Sequence, residues 1–480
     1  MRFLRLAIPA ILSFLLIALV VNTYRSQRED FYLGGIQVNE ADHAHWVETL
    51  ERSGMNTVAV TVYAHQGDWD SSNLWFDDEE PWVIHEVREA KRQGLKVVLV
   101  LRVALDHAFE RNRFFWHGMI MPATDDDLQE WFSRYRSFAR KWARVAQDEG
   151  IDVLAVASEL NTLTNTLEVD SIPNLEEYWS NSEKVDLEDQ KVLAHEDEIE
   201  RRHLWAPGGE AFGSLDSLLD EKAREHGVWA RAMAYLDEPD PLASINARRT
   251  GLRENWTRVI SEVRQEFKGQ LTYAANFDQY HMVAFWDRLD LMGINAYFPL
   301  RRRQLPSSEF SQLEPLLEAR WKTILESILE FQDDQNLDRM RVLFTELGYV
   351  RRANSTIEPW AASGFSVLPA DEGTRLMIWE DQPTERRERA AAVAGLYKAN
   401  RSLGGDLLAG ILYWKLSTEP AHEKDEPFVL IIGDRAPEDP LLEELQRFRW
   451  RRPIDEWLKR IGQILGFLHR SLINTQGHAA

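Results

Sequence analysis

The sequence predicts one (β/α)8 TIM barrel, and three observations lead to this prediction. Eight apolar strand segments alternate with helical segments over most of the 480 residues, as in a barrel of parallel strands. Two of the strands end in a carboxylate: Glu159 closes the segment 152–159, and Glu346 follows the apolar run 342–344. No glycine-rich phosphate loop follows any strand, which disfavours a nucleotide-binding doubly wound sheet.

The first part of the chain alternates regularly between strands and helices. These elements are predicted, in chain order, at 34–38, 41–53, 56–64, 81–93, 96–103, 125–149 and 152–159. Gly54, Gly94 and Gly150 follow the three helices, at the position where glycine commonly ends a helix. Pro81 suits the first turn of the second helix, and the acidic start of the third helix at Asp125 suits the helix dipole.

The alternation stops after strand four and then resumes. Residues 161–253 are polar and charged without a strand pattern, which predicts an insertion with short helices in a loop that barrels can lengthen. A helix at 254–268 restores the alternation. The remaining strands and helices are predicted at 271–277, 291–297, 313–331, 342–346, 385–401, 408–416 and 440–448.

The two strand-end glutamates suggest a chemistry. Burying a carboxylate beside an apolar strand costs free energy unless a partner or a reaction uses it. Strands four and seven lie on opposing parts of a barrel rim, so Glu159 and Glu346 can face each other across the mouth where barrel enzymes act. Two such carboxyls can hydrolyse a glycosidic bond, one as nucleophile and one as acid and base. Each could instead be a solvated strand-end acid, and spacing alone does not assign the roles.

Composition excludes several function classes. The net charge of -22 disfavours a nucleic-acid partner, because a phosphate backbone attracts a basic surface. The absence of cysteine excludes disulfides, iron–sulfur clusters and thiolate zinc sites. No histidine pair at helical metal-ligand spacing lies beside a carboxylate, so neither a metal nor another cofactor is predicted. Eighteen tryptophans supply flat faces that suit sugar rings, although most tryptophans in any protein serve packing.

The two ends of the chain are predicted to be separate from the barrel at 31–450. Residues 1–30 contain an apolar run at 6–21 behind Arg2 and Arg5, typical of an uncleaved membrane anchor or a cleaved signal peptide. The barrel is therefore expected in the periplasm, anchored to the inner membrane, or secreted. Residues 451–480 predict an amphipathic helix with a basic polar side. This helix either packs on the barrel or lies on a membrane surface.

Short motifs along the predicted barrel carry a family resemblance. They are 35–37 (GIQ), 115–118 (FWHG), 158–160 (SEL), 273–276 (YAAN), 286–290 (WDRLD), 293–300 (GINAYFPL), 344–349 (FTELGY) and 410–415 (GILYWK). The chain resembles glycoside hydrolase family 113 from about residue 32 to 420, outside the insertion. The resemblance implies retaining hydrolysis of β-mannan without a metal, with Glu346 as nucleophile and Glu159 as acid and base.

The chain departs from the family pattern at two positions next to the predicted site. Strand three contains 101–103 (LRV), where the family tends to have a Lys-Pro-His-like stretch. Ser158 precedes Glu159, where related barrel glycosidases often have asparagine. Both positions contact the sugar beside the cleaved bond in the family, so the glycan specificity stays open.

Three residues are predicted to support the reacting sugar or the carboxylates. Trp414, at the end of strand eight, would form the floor on which the sugar stacks, or it is a packing residue of the rim. Tyr297, at the end of strand six, could donate a hydrogen bond to Glu346 and keep it ionised. Arg102 would point into the mouth and pair with a carboxylate, within the site or as a structural ion pair.

Five further residues are weaker candidates for substrate binding. Asn276 and Asn295 could bind sugar hydroxyls, or each could simply end a strand. Tyr63, Trp69 and Trp116 could contact sugar rings. With these candidates, two function classes remain: a membrane-tethered retaining glycosidase, and a non-catalytic sugar-binding barrel in an envelope polysaccharide assembly.

Overall fold

A computed structural model describes residues 31–76, 80–167, 215–235, 237–302, 311–337, 340–360, 365–369, 375–379 and 383–450. Eight parallel strands close into a barrel, since each strand pairs with the next and the last pairs with the first. The predicted barrel is therefore confirmed. Its strands are β1 (Tyr32–Gln37), β2 (Thr57–Gln66), β3 (Lys96–Leu105), β4 (Val153–Ser158), β5 (Gln270–Asn276), β6 (Met292–Asn295), β7 (Val342–Leu347) and β8 (Leu408–Ser417).

Helices surround the barrel. They are α1 (His43–Arg52), α2 (Glu80–Arg92), α3 (Asp125–Asp148), α4 (Leu215–Met233), α5 (Pro241–Glu266), α6 (Leu313–Asp334), α7 (Arg386–Ser402) and α8 (Pro440–Trp450). Side-chain caps fix several starts, because a cap oxygen satisfies an otherwise unpaired backbone N–H. Thr124 accepts from the N–H of Asp127 at the start of α3, and Asp240 accepts from the N–H of Ala243 at the start of α5.

The structure corrects one detail of the sequence prediction and adds two. Helix α5 begins at Pro241 rather than at residue 254, because Asp240 and Pro241 form a helix start inside a polar stretch. Residues 277–291, all of them described, contain two 3-10 turns between β5 and β6, where no helix is predicted. Glu346 is the penultimate residue of β7, which ends at Leu347.

Two apolar layers hold the barrel together. The outer layer lies between strands and helices and includes the fully buried Trp46, Trp131, Trp256, Trp286 and Trp321. The inner cluster includes Val98 and Val100 of β3. Arg102 shares their strand face, since side chains two residues apart on a strand point the same way. Arg102 therefore extends from the apolar interior towards the carboxyl ends of the strands.

The predicted segments 1–30 and 451–480 lie outside the described residues, as do residues 168–214 of the insertion at 161–253. Among the described helices, none combines the length and the apolar character that a membrane span requires. A short antiparallel hairpin, Phe365–Pro369 with Arg375–Trp379, follows β7.

The closure of the barrel between β1 and β2 generates a prediction about stability. Gly34 pairs with Thr57 across this seam, and a Cβ atom at residue 34 would lie 1.6 Å from the carbonyl oxygen of Thr57. We expect Gly34→Ala to lower the free energy of unfolding by about 3 kcal/mol or more, because backbone atoms cannot move aside as a side chain does. Urea or thermal unfolding measures this loss.

Gly251 provides the matched control. It lies within α5, and a Cβ atom there would have no neighbour within 4 Å. Gly251→Ala should therefore stabilise the protein by about 0.5–1 kcal/mol through the better helix propensity of alanine. Equal effects of the two substitutions would show that the β1–β2 seam does not limit stability.

Candidate active site

Glu159 and Glu346 meet at a single guanidinium group. Nη2 of Arg102 forms ion pairs with Oε1 of Glu346 and, at 3.5 Å, with Oε2 of Glu159. Arg102 is only 7% exposed, Glu346 4% and Glu159 9%. Because both carboxylates touch the same nitrogen atom, the distance between Oε1 of Glu346 and Oε2 of Glu159 cannot exceed the sum of the two ion-pair distances. The pairing that the sequence predicted for Arg102 is thus present, and it involves both glutamates.

Glu346 is held from two sides. Tyr297, two residues after β6, donates through Oη a hydrogen bond of 2.8 Å to Oε2 of Glu346, as the sequence predicted. Arg102 approaches the other oxygen, Oε1. One carboxylate oxygen therefore receives a neutral donor and the other a charged donor, an arrangement that stabilises the ionised form.

Glu159 has an unusual backbone. It directly follows β4 and has a φ of +49°, in the left-handed region that residues other than glycine rarely adopt. Its N–H bonds to the carbonyl oxygen of Ala274 in the neighbouring strand at 2.9 Å. Its Oε2 lies 3.2 Å from Nε2 of His117. The left-handed conformation costs on the order of 1 kcal/mol. It occurs at the residue whose carboxylate lies inside the site.

A polar layer lies directly beneath the carboxylates. Arg102 Nη2 donates to Ser158 Oγ at 3.1 Å, and Asn295 Nδ2 donates to the same oxygen at 3.5 Å. Asn295 Oδ1 accepts from Thr345 Oγ1 at 2.7 Å. Asn295 is fully buried, and its binding of a sugar hydroxyl stays a prediction. The amide joins β4, β6 and β7 under the two glutamates.

Trp414 borders the site, as predicted. The guanidinium carbon of Arg102 lies 5.5 Å from the centre of the Trp414 ring, and the ring packs beside Tyr297 and Phe428. Lys415 Nζ lies 4.5 Å from the same ring and pairs with Glu426 at 3.0 Å. A half-buried indole beside Arg102, which contacts both carboxylates, can stack against the apolar face of a sugar.

The other candidates differ in their placement. Tyr63 lies opposite Arg102 in the paired strand β2 and is half-buried. Asn276 accepts the N–H of Phe277 at 3.0 Å and so ends β5, the structural alternative stated for it. Trp116 is 37% exposed at the mouth and meets the edge of His117. Trp69 is only 5% exposed and packs on Phe115, so little of its ring is accessible, and its contact with sugar stays a prediction.

His117 is the functional residue that the sequence reasoning missed. Its motif, 115–118 (FWHG) in the loop after β3, carries the family resemblance but predicts no role for the imidazole. The signal was a ring nitrogen in a loop at the same rim as the two glutamates. Its contact with Glu159 joins positions 42 residues apart in the chain.

The two carboxyls differ in their proton affinity. Burial raises the pKa of Glu346 to about 7, and the Glu159 carboxylate adds to this rise against the opposing effects of Arg102 and Tyr297. Burial also acts upwards on Glu159, but the His117 hydrogen bond and the Arg102 charge outweigh it and lower that pKa to about 2. Two carboxyls at one guanidinium titrate as a pair. The pair therefore carries one proton below about pH 7.

The arrangement can support acid–base and nucleophilic chemistry between carboxyls. One proton, one anionic carboxylate and a fixed cation lie together beside an aromatic face. Within the described part of the chain, no three His, Cys, Asp or Glu side chains group to hold a metal ion.

Comparison with protein families decides the membership of the chain. The pattern of Glycoside Hydrolase Family 113 matches residues 34–169 and 245–372, more than half of the sequence. The chain belongs to glycoside hydrolase family 113. The unmatched stretch between the two regions contains α4 and the start of α5. Both glutamates, Arg102 and Tyr297 lie inside the matched regions.

Solved structures share the fold of this GH113 chain. A GH113 β-mannanase from Alicyclobacillus acidocaldarius, in complex with ManMIm, is 14% identical with a TM-score of 0.52, over 88% of this chain and 98% of that one. A GH113 β-1,4-mannanase is 16% identical with a TM-score of 0.50, over 88% of this chain and 100% of that one. A search of curated proteins found no significant match.

The titration of the carboxyl pair generates a prediction. Acid catalysis needs the proton that the pair holds, so kcat/KM should fall as the pH rises through about 7. Tyr297→Phe removes a hydrogen bond that lowers the pKa of Glu346, so the fall should move to higher pH. The same variant should lose about tenfold to a hundredfold in kcat, because an ionised carboxylate loses a donor. Measurements of kcat/KM against pH test both effects.

Tyr349 supplies the control for this experiment. It is a buried tyrosine two residues after β7, and its hydroxyl has no hydrogen-bond partner among the described residues. Tyr349→Phe should leave the pH profile unchanged. A Tyr297→Phe profile that stays in place, or moves to lower pH, would contradict the role of the Tyr297–Glu346 hydrogen bond.

Proposed function

We propose that this GH113 member is a retaining glycosidase that cleaves a β-linked glycan, with β-mannan as the leading substrate. The observation that carries the proposal is the contact of Glu159 and Glu346 with one nitrogen atom of Arg102. Such proximity is compatible with the ~5–5.5 Å between the carboxyls of retaining enzymes.

In the first step, a carboxylate oxygen of Glu346 attacks the anomeric carbon of the sugar. The bond from that carbon to the leaving oxygen breaks, and Glu159 gives its proton to this oxygen. The product is a glycosyl ester on Glu346. Tyr297 and Arg102 favour the ionised nucleophile before the attack, and Trp414 offers the face on which the sugar rests.

In the second step, Glu159 acts as a base. It takes a proton from a water molecule whose oxygen attacks the anomeric carbon, and the ester bond to Glu346 breaks. The released sugar keeps its anomeric configuration because two displacements have occurred. Glu159 is then protonated and Glu346 ionised, as the first step requires.

The carboxyl pair holds one proton below about pH 7, and the acid role requires this proton to lie on Glu159 when the glycan binds. A protonated Glu159 can donate a hydrogen bond to the leaving-group oxygen, whereas an ionised one cannot.

Mannan as substrate rests on family membership. The two solved mannanases are under a fifth identical to this chain, so they support the fold rather than the sugar. Arg102 and Ser158 stand where the family pattern differs, next to the reacting sugar. A panel of β-manno-, β-gluco- and β-galacto-oligosaccharides tests which sugar is accepted.

Single substitutions test the two roles. Glu346→Gln should abolish turnover of every glycoside, because no glycosyl ester can form. Glu159→Ala should lower kcat on oligosaccharides by about 10²–10⁴. It should affect formation of the glycosyl ester from dinitrophenyl glycosides far less, since that leaving group needs little protonation. Steady-state and burst kinetics on both substrate types measure these effects.

Glu130→Gln is the matched control, since Glu130 lies on α3 and pairs only with the exposed Arg134 among the described residues. It should retain full activity. Equal losses on oligosaccharides and dinitrophenyl glycosides in Glu159→Ala would exclude an acid role. Sugar binding without turnover by the wild-type protein would favour the non-catalytic barrel.

We also propose that the protein is attached to a membrane, on the sequence evidence of residues 1–30 and 451–480. Protein lacking residues 1–30 should sediment with anionic vesicles when residues 451–480 are present, because a basic amphipathic helix binds such surfaces. Neutral vesicles should retain less protein. If removing residues 451–480 changes nothing, the tail has a structural role.

A further inference from the structure

Helix α4 (Leu215–Met233) is the described part of the insertion that lies wholly outside the family match. It packs against the loop that joins β3 to α3. This loop contains Trp116, at the mouth of the site, and His117, which contacts Glu159. A chain-specific helix thus touches the segment beside the proposed acid.

Two side chains of α4 hold the loop at points on either side of Trp116 and His117. On one side, Nε2 of His226 lies 3.1 Å from the carbonyl oxygen of Phe114, to which this nitrogen must donate. The His226 ring also stacks on Phe115, with 5.6 Å between ring centres and 15° between planes. On the other side, Trp229 Nε1 donates to the carbonyl oxygen of Met119 at 3.0 Å.

The inner face of this loop segment, residues 114–121, contacts the site. His117 Nε2 lies 3.2 Å from Glu159 Oε2, and Thr162 Oγ1 donates to the carbonyl oxygen of Gly118 at 2.7 Å. The Trp116 ring stands edge-on to His117, with 5.0 Å between centres. His117 therefore faces Glu159, and Trp116 presents an accessible indole.

The segment has little regular structure of its own. Its only helical turn is the 3-10 turn His117–Met119, and isolated 3-10 turns have weak hydrogen-bond geometry. The first half of the loop is held by Asn112, whose side chain bonds to Gly67 and Asp106. Helix α4 holds the second half of the loop through hydrogen bonds of the same kind. Beyond that half, Arg248 of α5 donates to the carbonyl oxygen of Pro122.

We propose that helix α4 builds a leaving-group subsite by fixing Trp116 and His117 against Glu159. The inference rests on the proposed function, since the leaving oxygen lies beside the acid. The ligand is a neutral hexopyranosyl unit of the leaving glycan, stacked on the Trp116 indole. His117 is a positioning residue that orients the carboxyl of Glu159. Trp229 and His226 act through this loop and do not touch the sugar.

Trp229→Phe and His226→Phe test the proposal, since each retains a ring and removes a hydrogen-bond donor. On oligosaccharides, kcat/KM should fall about tenfold, a part of the full general-acid contribution. On dinitrophenyl glycosides the change should stay within about twofold, because that leaving group needs neither the proton nor the stacking surface. Val228→Ala is the control on the same helix, since Val228 is 55% exposed, and it should change neither value.

Trp116→Ala should show the same selective loss on oligosaccharides. Combined with Trp229→Phe, the two losses should not add, because both act on one subsite. Equal losses on both substrate types in Trp229→Phe, or additive losses in the double variant, would overturn the proposal.

Hydrogen exchange separates this proposal from the function on which it rests. In Trp229→Phe, amides of residues 114–121 should exchange at least about tenfold faster than in the wild type or in Val228→Ala, because their anchor is lost. Unchanged exchange would show that α4 does not hold the loop. If exchange rises but the wild-type protein cleaves no glycoside, the anchoring by α4 stands, and both the subsite and the proposed function fail.

Discussion

The contact of one arginine with two buried glutamates is the interaction on which the site depends. Removing three ionisable groups from water is costly, and mutual pairing offsets that cost only when the geometry is good. Arg102 satisfies both carboxylates with a single nitrogen atom, while Ser158 accepts a further hydrogen bond from it. With one proton on the carboxyl pair, the buried group is close to neutral. This balance explains why two acids can lie together in an apolar barrel.

The barrel is what makes this contact possible. Arg102 and Glu346 are 244 residues apart in the chain, and Glu159, Asn295 and Tyr297 come from other strands. A closed parallel barrel brings the carboxyl ends of all its strands to one rim. Strand-to-strand hydrogen bonds then hold each side chain at a fixed height. The strained backbone at Glu159 persists because it is bonded to the neighbouring strand at Ala274.

Two described parts of the chain outside the family pattern support loops at the site. Helix α4 covers the loop beside Glu159, and the hydrogen bonds of His226 and Trp229 are directed at backbone carbonyls of that loop. On the Glu346 side, the buried Glu388 accepts from Arg301 and from the backbone of Thr356, which fixes the loop after β7. A helix of the insertion thus supports the loop beside Glu159, and a buried ion pair supports the loop after β7.

The sequence by itself determined the barrel, the strand ends that carry Glu159 and Glu346, and the family. These features are local or periodic: apolar runs, glycine stops and short motifs can be recognised without knowing which strands are neighbours. The start of α5 was missed because a polar stretch hides helical periodicity. The burial of Asn295 and Trp69 and the contact of His117 with Glu159 were decided only by tertiary structure. Burial and contact across strands depend on barrel register, which no single segment encodes, so an asparagine at a strand end became a buried link and a loop histidine became the neighbour of the acid.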